Sequence, residues 1–366
     1  MEKRIKILFT IPNFDTAGSG KVVCDLVKGL DKANFEPEIC CFHNRGEYFK
    51  VIETLGVKVH LFPFSTSYRP FISFPLRVFK IYKFFKSNQF DIIHSWHWSS
   101  DISEPLAVKL AGIPFIYTKK AMGWGNKAWS WRSRLSSHII AINTDMTTLF
   151  FKDMVHKTSY IPLGVDTEYF KPLEKTYTCP EGLTFSVSDF VIVSVANLVP
   201  IKGIELLLEA VKQIGDSSIK VVIVGDAQSA YGMELKASYA KTSTFFVGKQ
   251  LDVRPYLALA DVFVIPTLSL GEGLPIAPLE AMSSGRIVIG SDVPGVRDIL
   301  KAFSHYKFKP NDTIDLVNKI LKIKNMSDIE RKKNEIAMCS YVNRELSIYK
   351  FINSHEVLYH KIYTNS

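Results

Sequence analysis

The sequence lacks any apolar run of the ~18 residues that a membrane-spanning helix needs. Its first residues, Met1-Glu-Lys-Arg, lead directly into a strand-like run and carry no signal-peptide pattern. The five cysteines are scattered and show no spacing typical of zinc ligands. Reduced thiols in a cytosolic protein are the simplest interpretation. We therefore expect a cytoplasmic protein, one that can also associate with the inner face of the cytoplasmic membrane.

Signatures of nucleic-acid binding are also missing, since the sequence contains no helix-turn-helix, zinc-finger or RNA-binding motif. The formal net charge of +9 nevertheless indicates an anionic partner. Charge alone does not choose between nucleotide phosphates, acidic lipid and nucleic acid. No paired aspartates typical of a metal site are visible. We expect no nucleic-acid partner, no metal and no cofactor.

The chain is long enough, at 366 residues, for two domains with separate cores. Strand-like runs alternate with helix-length segments, as in parallel sheets covered on both faces. In the first half these runs are residues 4–11, 38–42, 57–62, 91–94, 114–117 and 139–142. The alternation breaks at residues 159–172 and restarts with runs at 190–195, 220–224, 244–247, 261–267 and 286–290. Two similar halves in tandem predict an α/β fold of two Rossmann-like domains, whose parallel sheets face a central cleft.

A small-residue segment, Gly18-Ser19-Gly20-Lys21, follows the first strand and precedes a helix pattern over residues 22–30. Glycine allows backbone N–H groups to approach a phosphate closely at a helix start. The spacing is not that of a Walker A loop. An anion site and an ordinary flexible loop are about equally consistent with this segment.

Residues 75–87 form a helix pattern with a basic stripe, Arg77, Lys80, Lys83 and Lys86, beside a wide aromatic and aliphatic face. Such a helix could contact an anionic membrane surface or a lipid-linked acceptor. A crossover helix packed on its sheet, with its charges in water, is the more common structure, and we prefer that interpretation.

Two clusters follow strands of the first half, at the sheet edge where ligands bind in α/β folds. His94, Trp96 and His97 end one strand, and a histidine there could carry a proton or hydrogen-bond an oxyanion. Buried histidines with satisfied ring nitrogens are the alternative. The second cluster is rich in cations and tryptophans and includes Lys119, Lys120 and Trp124. It could stack against a sugar or simply anchor a long loop.

In the second half, Lys202 lies in a loop between a strand and a helix, where it could bind a diphosphate. Glu272 and Glu280 lie eight residues apart, the first in the loop after a strand and the second in the helix expected over 275–285. The two carboxylates could accept hydrogen bonds from sugar hydroxyls. On spacing alone, an ordinary strand–loop–helix connection is the better interpretation.

Taken together, these motifs resemble the retaining glycosyltransferases of family 4, also called glycosyl transferases group 1. The matches run in order along nearly the whole chain: 18–21, 91–94, 160–170, 197–203, 225–226, 247–248, 261–266, 272–282 and 291–295. The resemblance implies the two-domain GT-B fold, with an acceptor-binding domain at 1–165 and a nucleotide-sugar-binding domain at 166–344. It also implies a C-terminal helix, 345–366, that crosses back to the first domain.

The resemblance also implies roles for individual residues. Glu272 is expected to bind hydroxyls of the donor sugar, Glu280 the ribose hydroxyls, and Lys202 the diphosphate. Further expected donor-site residues are Gly18, Ser19, Gly20, Asn197, Gly273, Leu274, Pro275 and Ile276. We assign the catalytic roles to Glu272, Lys202, His94 and His97, and acceptor binding to Trp96, Lys119, Lys120 and Trp124.

The sequence departs from the family pattern at three places. Asn197 stands where members usually have an arginine beside the diphosphate, so Lys202 must do more, with Lys21, Lys249 or Arg254 as candidate helpers. His94-Ser95-Trp96 replaces the usual His-x-His, and His97 comes one place late. Residues 304–308 replace a glycine-hydrophobic stretch.

The expected activity is metal-independent transfer of a hexosyl or N-acetylhexosaminyl group, with retention, from a UDP- or GDP-linked sugar to a glycan or lipid-linked acceptor. Cations on the diphosphate would stabilise the leaving group. Polysaccharide or envelope glycan synthesis is the expected setting. The alternatives are a nucleotide-sugar-binding homologue that acts as a scaffold, and a sugar-nucleotide epimerase or phosphorylase-like enzyme on the same fold.

Overall fold

The computed structural model of the protein describes residues 3–365, except 16, 47, 98–100, 125, 241–242 and 269–271 and the side chain at position 17. The chain divides into two compact units. The first comprises Met1–Leu163 and Tyr349–Ser366, and the second comprises Gly164–Ile348. The chain thus passes from one unit to the other at 163–164 and returns at 348–349.

The first unit is built on a parallel sheet of seven strands among its described residues, in the order β3-β2-β1-β4-β5-β6-β7. The strands are β1 Ile5–Thr10, β2 Phe35–Cys41, β3 Val59–Leu61, β4 Ile92–Ser95, β5 Phe115–Lys119, β6 His138–Ala141 and β7 Thr158–Tyr160. The helices are α1 Ala17–Gly29, α2 Phe49–Glu53, α3 Phe74–Asn88, α4 Ser103–Ala111, α5 Trp129–Leu135 and α6 Thr144–Leu149, followed by a 3-10 segment, Lys152–Lys157.

The second unit contains a parallel sheet in the order β10-β9-β8-β11-β12-β13. Its strands are β8 Phe190–Val195, β9 Ile219–Val224, β10 Thr244–Phe246, β11 Val262–Ile265, β12 Ile287–Ser291 and β13 Lys307–Phe308. Its helices are α7 Ile204–Ile214, α8 Ala230–Tyr239, α9 Arg254–Leu259, α10 Ala277–Ser283, α11 Val296–Ile299, α12 Thr313–Lys324 and α13 Asp328–Glu345. Short 3-10 segments lie at Pro200–Lys202 and Lys301–Tyr306.

The central strands are buried on both faces, which explains why they appear in the sequence as continuous apolar runs. Ile7, Leu8 and Phe9 of β1 are fully buried, as are Phe263 and Val264 of β11. The predicted α/β fold with two Rossmann-like units is therefore confirmed.

The start of α1 differs from the prediction. The helix begins at Ala17, so Gly18, Ser19 and Gly20 form its first turn and not a loop before a helix at residue 22. Gly20 lies under the Phe14 ring, where an added Cβ would come within 3.0 Å of that ring. A larger side chain at position 20 would displace that ring, so the packing suits glycine here despite its low helix propensity.

The last helix, α14 Ile348–Thr364, packs against the sheet of the first unit. The Tyr359 hydroxyl lies 2.7 Å from Nδ1 of His94 on β4, and the Asp31 amide donates to Glu356 Oε1 over 2.8 Å. The His355 ring stacks on that of His94. Because Phe351, Leu358 and Tyr359 are buried, this apolar face holds the C-terminal segment on the first unit.

A fully buried ion pair connects the elements at the point where the strand order of the first sheet reverses, between β1 and β4. Arg132 Nη2 of α5 donates to Glu104 Oε2 of α4 over 2.8 Å, and neither side chain is exposed. The Glu104 carboxylate also accepts from the hydroxyls of Thr10 and Ser95, at the carboxyl ends of β1 and β4. Burial raises the pKa of Glu104, and Arg132 opposes that shift.

We predict that Arg132→Met lowers the free energy of unfolding by roughly 3–5 kcal/mol, because it leaves the Glu104 carboxylate buried without its counter-charge. The double variant Glu104→Leu/Arg132→Met removes both charges and should lose less than the single variant. Urea denaturation measures all three proteins. Lys3→Met is the control, since its ion pair with Asp91 is exposed and worth at most ~1 kcal/mol. Equal or greater loss in the double variant would contradict the prediction.

Candidate functional site

The strand order of the second sheet reverses between β8 and β11, and the loops after these two strands form the candidate site. Lys202 ends the 3-10 segment after β8, and Glu272 lies in the loop after β11. Although they are 70 residues apart in sequence, Lys202 Nζ donates directly to Glu272 Oε1. The structure therefore brings together two residues that the sequence assigned to a donor site.

The Lys202–Glu272 pair is largely withdrawn from solvent, with side-chain exposures of 20% and 14%. Burial lowers the pKa of Lys202, while the adjacent carboxylate favours its charged form. A partly buried ammonium interacts with an anion more strongly than a solvated one does, because less water screens the charges.

Close backbone contacts hold the two loops in place. The Leu268 amide donates to the Ile201 carbonyl over 2.9 Å, which joins the loop after β11 to the loop after β8. Gly203 has a φ of +65°, and a Cβ there would lie 2.1 Å from the Pro266 carbonyl oxygen. Gly295 has a φ of +79° and is packed as closely against the Gly273 carbonyl. Only glycine fits at 203 and 295 without moving the loops that carry the ion pair.

The other predicted donor residues of the second unit lie near this pair in sequence. α10 begins at Ala277, two residues later than the predicted start, so half-buried Glu280 lies in its first turn. Gly273, Leu274 and Pro275 are buried, and Ile276 is half-buried. Asn197 is exposed just after β8.

The candidate helpers of Lys202 within the second unit differ in their surroundings. Arg254 donates to both oxygens of Asp252 and lies 3.8 Å from the centre of the Tyr169 ring. Its guanidinium is therefore already engaged. Lys249 is exposed.

In the first unit, the first turn of α1 and the end of β5 come together. Lys120 Nζ donates to Ser19 Oγ over 2.9 Å and to the Trp96 carbonyl over 2.5 Å. Burial, with repulsion from Arg132 and Lys119, lowers the pKa of Lys120 to about 7. Lys120 thus connects the small-residue turn that includes Gly18 and Gly20 with the ends of β4 and β5.

Lys119 lies against the Trp124 ring, 3.7 Å from its centre, and donates to the carbonyls of Ala121 and Gly123. Burial lowers the pKa of Lys119 to about 8. A small hollow beside these residues is also lined by His97 and Lys120. Burial, Arg132 and Lys120 lower the pKa of His97 to about 3, so its ring is neutral at pH 7. Trp124 stacks on Trp129, which supports its loop-anchoring role as well.

His94 and Trp96 are not at a surface in this structure. His94 is fully buried, with Nδ1 at 2.7 Å from the Tyr359 hydroxyl and Nε2 at 2.8 Å from Thr118 Oγ1. Trp96 is 1% exposed. These positions favour the alternative interpretation, that of buried aromatic groups at a strand end. They offer no access for a substrate to either ring.

Sequence reasoning missed the Glu104–Arg132 pair, which lies directly beneath this edge of the first sheet. Arg132 also donates to the Asp101 carbonyl over 3.0 Å and to Ser95 Oγ over 2.8 Å. The available signal was the position of Glu104 among the apolar residues of α4, since an acidic residue there is buried and needs a partner.

The described residues lack both a metal-ligand cluster and a membrane-spanning helix. Among them, no three or more His, Cys, Asp or Glu side chains are grouped so that they could hold a metal ion. None of the helices they form is both long and apolar enough to cross a membrane.

Comparisons with known proteins agree with this architecture. Residues 16–169 match the family Glycosyltransferase Family 4, and residues 180–337 match Glycosyl transferases group 1. The chain is 28% identical over 269 residues to the UDP-Gal:alpha-D-GlcNAc-diphosphoundecaprenol alpha-1,3-galactosyltransferase of Escherichia coli, covering 66% of this chain and 68% of the relative. It is 25% identical over 303 residues to the N,N'-diacetylbacillosaminyl-diphospho-undecaprenol alpha-1,3-N-acetylgalactosaminyltransferase of Campylobacter jejuni, covering 75% and 78%.

Solved structures share the fold. A glycosyltransferase from Rickettsia africae superposes with a TM-score of 0.84 at 18% identity and covers 100% of both chains. Anabaena HepE in complex with UDP-glucose has a TM-score of 0.75 at 18% identity and covers 97% of this chain and 99% of its own. The order of motifs, the two parallel sheets and the two family matches lead to one conclusion: this chain belongs to glycosyltransferase family 4, in group 1 of the glycosyl transferases, and has the GT-B fold.

Proposed function

We propose that this glycosyltransferase moves a hexosyl or N-acetylhexosaminyl group, with retention, from a UDP-linked sugar to a lipid-linked or glycan acceptor of envelope polysaccharide synthesis. The observation that carries the proposal is the partly buried Lys202–Glu272 pair at the switch point of the second sheet. UDP is preferred over GDP because the E. coli relative is named for UDP-Gal and the HepE structure contains UDP-glucose.

In the proposed donor complex, the diphosphate replaces Glu272 as the partner of the Lys202 ammonium. Glu272 then accepts hydrogen bonds from hydroxyls of the donor sugar, and Glu280 accepts from the ribose hydroxyls. The exchange keeps the Lys202 ammonium paired with an anion and the Glu272 carboxylate hydrogen-bonded, as largely buried charged groups require. Asn197 adds no charge, so Lys202 supplies the cation in this part of the site.

In the proposed reaction, the bond between the anomeric carbon and the donor phosphate oxygen breaks, and the acceptor hydroxyl oxygen bonds to the same face of that carbon. The hydroxyl proton passes to the departing phosphate oxygen, so the products are glycosylated acceptor and UDP. Lys202 stabilises the negative charge that develops on the leaving group.

For the acceptor, the first unit offers Lys119, Lys120 and the Trp124 loop. Among the contacts described for these lysines, the acceptors are carbonyl and hydroxyl oxygens, with no carboxylate. An anionic group would complement them. The two relatives named above act on diphosphoundecaprenol-linked sugars, which supports an acceptor that carries a lipid diphosphate.

The segment 68–83 offers a membrane contact for such an acceptor. Val78, Ile81 and Phe85 bury one face of α3, as the crossover interpretation expects. A second row of apolar side chains is exposed, and Ile72 and Leu76 are 96% and 73% exposed. The other exposed members of the row are Tyr68, Phe71 and Phe79, and the cations Arg69, Lys80 and Lys83 accompany them. We propose that this surface, called the apolar row below, binds an anionic bilayer.

A non-catalytic homologue that only binds nucleotide sugars remains the second candidate, because Asn197 replaces the usual arginine. The Lys202–Glu272 pair argues against it, since both charged groups proposed for catalysis are retained and in contact. An epimerase has no such observation in its favour.

We predict that Lys202→Ala lowers the rate of sugar transfer from a UDP-sugar by about 10²–10³-fold, the effect typical of removing one group that stabilises charge in the transition state. Glu272→Gln should cause a loss of similar size. Lys236→Ala, at an exposed position on α8, is the control and should retain activity. Release of UDP and glycosylated product, measured with folded variants, tests this. Full activity in Lys202→Ala would contradict the assignment, and no transfer by the native protein would favour the non-catalytic candidate.

The stereochemistry has its own readout in the same assay. From an α-linked donor, the proton NMR spectrum of the product should show the α anomer from the earliest time points. A β product would contradict retention while leaving the donor site unchallenged.

We predict that the protein binds phosphatidylcholine vesicles that contain phosphatidylglycerol more tightly than vesicles of phosphatidylcholine alone. Ile72→Ser/Leu76→Ser should weaken this binding by at least about tenfold, because each side chain loses ~1.5–3 kcal/mol of apolar burial. Ile329→Ser, which removes a side chain that is 86% exposed on α13, is the matched control. Co-sedimentation measures binding. Equal losses in the test and control variants would contradict the membrane contact.

A further inference from the structure

A charged cavity lies in the second unit, at the edge of the sheet opposite the Lys202–Glu272 pair. Its volume is about 710 Å³. It lies where the chain enters three strands: Phe190 begins β8, Asp261 precedes β11 and Arg286 precedes β12. Residues 172–177 and helix α13 complete its walls. The proposed glycosyl transfer uses none of these residues.

Two largely buried cations contact one carboxylate in this cavity, and a third lies among them. Lys175 Nζ lies 2.6 Å from Asp261 Oδ2, and Arg331 Nη1 donates to Asp261 Oδ1 over 3.3 Å. Asp261 also accepts from the Val191 amide over 2.7 Å. Arg286, only 5% exposed, belongs to the same electrostatic cluster. Burial, together with repulsion from Arg286 and Arg331, lowers the pKa of Lys175 despite the nearby Asp261.

The other acidic residues of the cavity have their own partners or are solvated. Glu335 lies 3.5 Å from Lys332 and also acts on Arg286, and Asp189 lies 3.8 Å from Lys220. Glu174 and Asp328 are on the exposed rim. Among the lining residues that are not exposed, four are cations (Lys175, Arg286, Lys324 and Arg331) and three are carboxylates (Asp189, Asp261 and Glu335), so the inner wall has an excess of one positive charge.

The buried guanidinium groups also have donors to spare. Arg286 Nη2 donates to the carbonyls of Leu173 and Glu174, and Arg331 Nη2 to that of Ile323. The Nε groups of both arginines are buried and have no hydrogen-bond acceptor within the described part of the chain. Buried donors in folded proteins are nearly always satisfied, so these two groups can donate to an acceptor that enters the cavity.

We propose that this cavity, called the lower anion site below, binds a small phosphorylated molecule whose phosphoryl group lies against Lys175, Arg286 and Arg331. A phosphoryl group supplies several acceptor oxygens and the negative charge that the cluster lacks, and guanidinium groups suit its geometry. The volume is that of a small-molecule site, so there is room for the remainder of a phosphorylated metabolite. The lower anion site is separate from the proposed donor site, so binding of a phosphoryl group to it does not depend on Lys202.

Inorganic phosphate is the probe for a thermal-shift test, with sodium chloride added to match ionic strength. A ligand that binds the folded state raises the melting temperature by mass action. The native protein and Lys202→Ala should show the same phosphate-dependent rise. Arg331→Gln should raise the apparent Kd for phosphate by at least about tenfold. Lys175→Gln provides a second variant on a different segment, and Lys236→Gln is the exposed control with the same change of charge.

Each protein is compared with itself with and without phosphate, so a lower starting stability of a variant does not affect the readout. Loss of the phosphate response in Arg331→Gln and Lys175→Gln, but not in Lys202→Ala, supports the lower anion site. A response lost in Lys202→Ala and kept in both cavity variants would place the phosphate in the donor site and overturn the proposal. No response in the native protein beyond that of sodium chloride would also overturn it.

Discussion

The ion pair between Lys202 and Glu272 is the interaction on which the proposed donor site of the second unit depends. The two residues are far apart in sequence, and each lies in a loop that follows a different strand of the parallel sheet. The loops after β8 and β11 are kept in contact by Gly203, which packs on Pro266, and by the Leu268–Ile201 backbone bond. Gly295 packs on Gly273 of the loop after β11. With both side chains largely buried, the charges are strong partners for each other and, in our proposal, for the two ends of a sugar diphosphate.

Buried charged side chains have different kinds of partner in the two units. In the first, Glu104 and Arg132 neutralise each other beneath the sheet edge, and the hydroxyls of Thr10 and Ser95 satisfy the carboxylate. Such a pair fixes strands in position and is closed to ligands. Above it, Lys119 and Lys120 have carbonyl and hydroxyl partners and lowered pKa values. In the second unit, the Lys202–Glu272 pair and the proposed lower anion site each contain cations that, in our proposals, exchange or gain an anionic partner.

Local patterns predicted the strands well because parallel strands buried on both faces are apolar throughout. The loop residues Lys202 and Glu272 are predicted to be site residues because they follow such strands and match family motifs, and the structure adds that they are in contact. His94 is predicted to be catalytic because it ends a strand at the ligand edge and matches a family motif. Its contact with Tyr359, 265 residues away on α14, is beyond the reach of any local pattern. The start of α1 lies earlier than predicted, at Ala17, because glycines in a first turn give no helix signal in the sequence. The lower anion site combines Lys175, Arg286 and Arg331, and no sequence motif connects those three segments.

We propose above all that Lys202 binds the diphosphate of a uridine nucleotide. Isothermal titration calorimetry of UDP and UMP, with the native protein and Lys202→Ala, tests it most directly. The two ligands differ by the second phosphate alone, so their affinity ratio isolates the group that Lys202 is proposed to contact. We expect the native protein to bind UDP at least about tenfold more tightly than UMP, and we expect Lys202→Ala to lose this preference. An unchanged ratio in the variant would contradict the claim.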